Sequence, residues 1–264
     1  MPYQATSAGN LARIRKKNCG TTTKATVHNT KTIMKYLDMK YSPEQIANAV
    51  RSVKVCTSTI YNWIYKKIVP FDIKKLRGRG KRYKIKNTGK RLKRPDRAFF
   101  EGRTLENRPE EVQLRTEFGH WEADTVVSKQ GVAACLATFI ERKTRHYVAI
   151  KIPNKTGRSM MTAIKRLVEM YPHGVKSITC DRGSEFVNFD CKIYYANPCA
   201  PHERGSNENH NGLLREYFPK PSNFKNISQN KINQAVQSMN LRPRKIFKWK
   251  SPQHKFNLEY SKAF

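Results

Sequence analysis

The chain has 264 residues, 52 of them Lys or Arg and 20 Asp or Glu, for a formal net charge of +32. That length allows one large or two modest domains with a real core, while a mean hydropathy of −0.75 leaves part of the chain for solvated arm or linker. No apolar run approaches the roughly 18 residues of a membrane span, and the start, Met1-Pro2-Tyr3-Gln4, lacks a secretory apolar region, which argues against transport and secretion.

Cys19, Cys56, Cys135, Cys180, Cys191 and Cys199 are scattered with no C-x-x-C pair. That spacing argues against a zinc ribbon and a disulfide scaffold; the residues read as reduced thiols of a cytoplasmic protein, nucleoid-associated in a prokaryote. So large a positive excess attracts a polyanion, and nucleic acid is the commonest one there. A ribosome-associated or RNA-coating protein fits the composition too. The excess is uneven: residues 1–116 hold 28 basic and 8 acidic residues, and residues 117–264 hold 24 and 12.

In chain order, residues 5–18 carry Leu11, Ile14 and several basic residues and predict a short helix without a core of its own. Ser42-Pro43-Glu44-Gln45 is a helix start: Ser42 can cap, Pro43 suits the first helical position and Gln45 can close a capping box. Ile46, Ala47 and Val50 form its apolar face. Thr57 or Ser58 then caps a second helix through Ile60, Tyr61, Trp63, Ile64 and Ile68. Two short helices over about 42–69 make the helix-turn-helix plan, whose second helix enters the major groove. Thr59, Asn62, Lys66 and Lys67 would then face DNA; a purely structural hairpin is the alternative. Residues 1–72 are thus assigned to a helical DNA-binding region and residues 73–116 to a basic linker. Within the linker, residues 74–97 hold 13 basic residues among 24 and one acid, Asp96, with Gly78, Gly80, Gly89 and Pro95 opposing a helix. Arg77, Arg79, Lys81 and Arg82 are candidates for contacts to a phosphate backbone, the alternative being a solvated spacer.

Residues 117–264 are short of acids, which makes each one informative. Residues 118–127 read as a strand in which period two puts Glu122 and Asp124 on one face and Trp121 and Ala123 on the other. Apolar segments 132–140 and 146–152 complete an antiparallel meander. A helix over 156–170 follows, with Met160, Ile164, Leu167 and Val168 as its buried stripe. Then come a strand over 175–180 leading into Asp181, a short strand over 193–196, and a helix over about 203–217. This order is the α/β, ribonuclease-H-like plan, a mixed sheet with flanking helices, preceded here by the small all-α region. Asp124 on the first strand, Asp181 just past the fourth and Glu208 on the later helix can converge. Three hard oxygen donors suit Mg2+ or Mn2+. Two such ions roughly 3.5–4 Å apart activate an attacking oxygen and stabilise a leaving one, and they remove the repulsion between the carboxylates.

Three blocks carry a more specific resemblance. Gly119-His120-Trp121-Glu122-Ala123-Asp124, Asp181-Arg182-Gly183-Ser184-Glu185-Phe186 and Arg204-Gly205-Ser206-Asn207-Glu208-Asn209-His210-Asn211-Gly212-Leu213-Leu214-Arg215 resemble the signature blocks of DDE transposases of the insertion-sequence IS-thirty family, within the retroviral integrase superfamily. Tyr195-Ala196-Asn197-Pro198, Tyr217-Phe218-Pro219-Lys220 and Asn240-Leu241-Arg242-Pro243-Arg244-Lys245 are also similar to that pattern, and the likeness covers most of 42–255. The resemblance implies a metal-dependent transesterase that cuts a mobile element's ends and joins the freed 3′-hydroxyls to target DNA. Its partners would be double-stranded DNA, at inverted-repeat ends and target, and further copies of itself, because synapsis brings two ends together. Asp124, Asp181 and Glu208 map onto the metal-binding triad. Arg215 maps onto the basic residue of the same helix, where a seven-residue spacing puts both side chains on one face and the guanidinium beside a DNA phosphate.

The chain departs from the family pattern in two places. The 27 residues from Asp181 to Glu208 are a shorter gap than usual. The chain also begins just after the point where members carry an additional helix-turn-helix, which leaves a truncated copy, an internal start or half of a split frame as readings. A catalytically inactive DNA-binding remnant or repressor is the alternative to the enzyme, and a hydrolytic nuclease of the same fold is a third reading.

Of the other polar residues, Asn207, Asn209 and Asn211 are candidates for hydrogen bonds to nucleic acid, against helix capping or surface placement. Glu122 either assists metal binding or supports the site by hydrogen bonding. His120 is read as structural, Trp121 as core, and Glu185 as paired with a base; His202 and His210 could touch DNA. Arg244 and Trp249 lie in a basic-aromatic tail that either contacts DNA or docks on the domain.

Overall fold

The computed structural model describes residues 5–18, 24–77, 103–180, 192–195 and 205–263. The chain divides into two compact units, Met1–Gly80 and Lys81–Phe264. No helix among the described residues is long and apolar enough to cross a membrane.

In the first unit, α1 (Ala5–Asn18) leaves Leu11 and Ile14 more than half exposed, as expected of a helix without a core. Helices α2 (Val27–Asp38), α3 (Pro43–Ala49) and α4 (Thr57–Tyr65) share a core that includes Ile33, Leu37, Ile46, Ile60, Trp63 and Ile64. The capping box forms: Gln45 N–H donates to Ser42 Oγ at 3.2 Å, and Ser42 N–H donates to Gln45 Oε1 at 2.8 Å. Three features differ from expectation. Helix α2 was not read from the sequence, although Thr26 accepts from Asn29 N–H at its start and Ile33 and Leu37 are buried one turn apart. Cys56, not Thr57 or Ser58, holds the N-cap of α4, with its Sγ 3.1 Å from Ser58 Oγ and 3.0 Å from Thr59 Oγ1. Ile68 is exposed, because α4 ends at Tyr65 and the left-handed Lys67 (φ 57°) redirects the chain, so that Val69 takes the core position.

The second unit is built on one sheet. Strands β1 (His120–Val127), β2 (Cys135–Glu141), β3 (Tyr147–Ile152), β4 (Ser177–Cys180) and β5 (Ile193–Tyr195) lie in the order β3-β2-β1-β4-β5. The β1–β2 and β2–β3 pairs are antiparallel, while β4 runs parallel to β1 and β5 parallel to β4. This is the expected ribonuclease-H-like mixed sheet, with β1 central. Helix α6 (Gly157–Met170) packs on the face that carries Trp121, Ala123 and Phe139, joined there by Phe256 of α9 (Pro252–Tyr260). Helices α7 (Gly205–Leu214) and α8 (Gln229–Leu241) cover the other face, against Val126, Leu136, Ile140 and Tyr147. Val168 is exposed rather than part of the α6 stripe. At about 100° per residue it lies on the flank of the face centred on Met160, Ala163, Ile164 and Leu167.

Residues 103–116, expected to be linker, are instead folded onto the sheet. Helix α5 (Glu110–Leu114) buries Val112; Arg108 Nη1 donates to Thr179 Oγ1 at 3.3 Å; and Tyr195 N–H donates to Arg103 O at 2.7 Å, beside a bridge from Thr104 to Tyr195. Of its basic residues Arg108 is buried, Arg115 half-buried and Arg103 exposed.

Candidate active site

The β1 alternation places Asp124 and Glu122 on the face covered by α7, opposite Trp121 and Ala123. Two contacts fix α7 along β1. Asn211 Nδ2 donates to Asp124 Oδ2 at 2.8 Å, and Arg215, just past the helix, donates from Nη2 to Val127 O at 2.6 Å. Asn211 and Arg215 are four residues apart, a rise of about 6 Å, against about 10 Å for the three strand residues from Asp124 to Val127, and the long Arg215 side chain spans the difference. Helix and first strand therefore run in the same direction. Glu208 is exposed and lies one turn before Asn211, and residues three apart on a helix are neighbours.

Asp124 is half-buried, and Thr125 N–H donates to its Oδ1 at 2.8 Å. Asn211 is itself held: Tyr147 O–H donates to its Oδ1 at 2.6 Å. Tyr147 is fully buried, and desolvation pushes its pKa upward, so the phenol stays protonated and its O–H donates to Asn211. The Tyr147–Asn211–Asp124 chain orients the carboxylate from behind. The sequence offered Asn211 as a DNA contact, a helix cap or a surface residue, and it did not single out Tyr147.

Glu122 has a different part. It is 0% exposed and its Oε1 accepts from Nη1 of the buried Arg142. Burial pushes its carboxyl up from the ordinary range, and Arg142, Arg115 and Arg108 pull it back. It is a supporting counter-charge, the second of the two readings given for it. His120 meets Ser177 Oγ and Glu117 Oε2, each at 2.7 Å, and burial lowers its pKa. Trp121 is fully buried and donates to Gly174 O. Both are structural, as read.

Of the remaining candidates, Asp181 follows directly on Cys180, the last residue of β4, and lies outside the described residues, as do Arg79, Lys81, Arg82, Glu185 and His202. Asn62, Lys66, Lys67, Arg77 and Asn209 are exposed, and Thr59 is half-buried. Asn207 is 1% exposed and so is corrected from a DNA contact to a buried residue of α7. Arg215 Nη1 also reaches Phe218 O at 3.4 Å, and its guanidinium lies 5.6 Å from the Phe224 ring centre. His210 is buried and hydrogen-bonded to Ser206 O through Nδ1. Arg244 is half-buried. The tail around it docks on the domain: buried Arg242 bonds Glu216 and Tyr217, and Phe256 enters the core.

Among the described residues no three His, Cys, Asp or Glu side chains gather as a metal site. The acids Asp124 on β1 and Glu208 on α7 offer only hard carboxylate oxygen, while Cys180 faces the opposite core. That donor chemistry fits Mg2+ or Mn2+ and not a thiolate-bound metal.

Residues 115–197 match the family model described as the integrase core domain. The chain is 33% identical over 239 residues to the transposase for insertion sequence element IS4351 of Bacteroides fragilis, covering 86% of this chain and 72% of that protein. It is 34% identical over 214 residues to the probable transposase for insertion-like sequence element IS1161 of Streptococcus salivarius, covering 79% of this chain and 60% of the relative. It is 29% identical to the transposase InsI for insertion sequence element IS30A of Escherichia coli (strain K12), over 95% of this chain and 70% of the relative. The chain therefore spans 60–72% of the length of these relatives.

Proposed function

The chain belongs to the IS30-type family of DDE transposases, and from that premise we propose that it binds element-end DNA and catalyses strand cleavage and strand transfer. The observation that carries the reading is the clamping of α7 along β1, which supports Asp124 and Glu208 as partners at one site. Asp181, next in sequence after β4, is the third acid. These three carboxylates would hold the divalent metal that an integrase-like fold implies, Mg2+ or Mn2+ and two ions in our reading. When bound, the metal activates the attacking oxygen and stabilises the leaving one.

The chain's own residues supply positioning. Asn211, backed by Tyr147, fixes the rotamer of Asp124. Arg215 has more guanidinium N–H groups than its two carbonyl partners take, and we assign the remainder to a DNA phosphate. In the first step water attacks phosphorus and the element's 3′ oxygen leaves; in the second that 3′-hydroxyl attacks a target phosphodiester and displaces the target strand's 3′ oxygen. Asn62, Lys66 and Lys67 of α4, with Arg77, Arg79, Lys81, Arg82, Asn209 and Arg244, contact DNA in this reading, and joining of paired ends requires an oligomer on DNA in the nucleoid. Residues 1–72 bind, the basic segment after them tracks phosphate, and the sheet domain carries the chemistry.

The test is a strand-transfer assay in Mg2+ or Mn2+ comparing wild type with Asp124→Asn. Joining that the substitution abolishes, with DNA binding retained, is expected. Cutting without joining would indicate a nuclease, and DNA binding with neither would indicate an inactive remnant; either defeats the proposal.

A further inference from the structure

The first half of α7 borders a cavity of about 380 Å3, lined in part by Arg115, Arg145, Arg244, Lys245, Ser206 and Asn209. The four cations come from three separate places: the turn after α5, the β2–β3 hairpin, and the segment between α8 and α9. None of the described residues lining it is acidic. Arg115 and Arg145 both stand in the left-handed region at φ 60°, sparsely used by residues with a side chain, so the fold holds these two guanidiniums here against local preference. Arg145 also donates from Nη1 to Ser206 Oγ, tying the hairpin to α7. Behind the cavity, Arg108, Arg115 and Arg142 act on the buried acid Glu122, with a second buried acid, Glu141, also acting on Arg142, and after burial and the pull of Glu122 the charge of Arg115 depresses the Arg142 pKa further. Positive charge is in surplus at this spot. The volume sits near the lower end for small-ligand sites. Ser206 and Asn209 flank Glu208 in the sequence, two residues before and one after, so the cavity adjoins the turn that carries the acid.

We propose that this cavity seats a phosphodiester of the DNA strand next to the one held at Asp124 and Glu208, with Arg115, Arg145 and Lys245 as its ligands. Planar guanidinium forks match phosphate oxygens, and a phosphate seated here fixes the path of the strand across α7. The inference rests on the DNA reading above and adds a second, metal-independent contact to it.

The experiment measures binding of the full chain to a 20-base-pair duplex of arbitrary sequence in EDTA, as a function of NaCl. Each cation that contacts a phosphate contributes about 0.9 to the slope of log affinity against log salt. Arg115→Gln with Lys245→Gln is expected to flatten the slope by about 1.8, so that its affinity loss between 50 and 200 mM is about 12-fold smaller than wild type's. Lys165→Gln with Arg166→Gln removes the same charge from exposed positions of α6, on the opposite face, and is expected to keep the wild-type slope. If circular dichroism shows the first pair unfolded, Lys245→Gln alone is expected to give about half the change in slope. A wild-type slope in the cavity variants, or an equal loss in the α6 control, overturns the cavity proposal while leaving DNA binding intact. A wild-type chain without salt-dependent binding overturns both.

Discussion

Replacing Arg142 by Met removes the partner of a carboxylate that has no exposed surface. The substitution also deletes the Nε–H bond to Val112 O. Breaking a buried ion pair by taking away one side costs about 3–5 kcal/mol. The lower end applies, because Arg108 and Arg115 also act on Glu122. A loss of about 3 kcal/mol at an m-value of about 2 kcal/mol/M moves the urea midpoint down by about 1.5 M. The cost is charge, so adding Glu122→Gln to Arg142→Met is expected to recover more than half of it. The pH dependence has a definite sign. Burial raises the folded pKa of Glu122 above its unfolded value of about 4.3. Between those two values the folded state keeps a proton that the unfolded state has lost, so stability falls as pH rises through the window. Removing Arg142 pushes the folded value higher still, and the Arg142→Met deficit is therefore expected to shrink as pH is lowered from 8 toward 5. Urea unfolding followed by far-UV circular dichroism checks all three outcomes. A midpoint shift under 0.5 M, on the order of 1 kcal/mol at that m-value, or a double variant no more stable than the single, would refute the reasoning.

Asn211→Ala is expected to slow strand transfer by roughly 10–100-fold, the usual cost of losing a group that orients a ligand, while DNA affinity holds; an unchanged joining rate on a sequencing gel would count against the orienting role. Burial holds His146 at about 3, so between that value and about 6.5 the unfolded state binds a proton that the folded state refuses, and stability is lost as pH falls. His146→Phe, next to Phe256 at 4.1 Å between ring centres, is expected to abolish about 2 kcal/mol of the loss between pH 7 and pH 5, read by urea midpoints at the two pH values. The Cys56 thiol, lowered to about 7 by hydrogen bonds from the Ser58 and Thr59 side chains, is expected to alkylate with iodoacetamide well before the buried Cys135 and Cys180, as peptide mass spectrometry after a short pulse would record.

Local features could be read in the sequence because local geometry governs them. Strand alternation is a property of the extended backbone, and it put Asp124 and Glu122 on one face of β1 with Trp121 on the other. Ser42, Pro43 and Gln45 announced α3 because a capping box closes within four residues. The succession of strands and helices fixed the sheet plan, since short connections leave few ways to arrange it. What the sequence could not decide was which polar groups would be buried and with what partners. Glu122 and Asp124 look alike along the strand, yet one meets Arg142 and the other Asn211, 20 and 87 residues away. Helix α2 became visible only through the core it shares with α3 and α4. Val168 and Ile68 lost their places through a few tens of degrees of helix phase and one left-handed residue. Residues 103–116 exchanged a solvated state for contacts with β4 and β5. Burial and pairing arise between elements distant in the chain, so only their packing could bury one acid against Arg142 and leave its neighbour half-exposed beside Asn211.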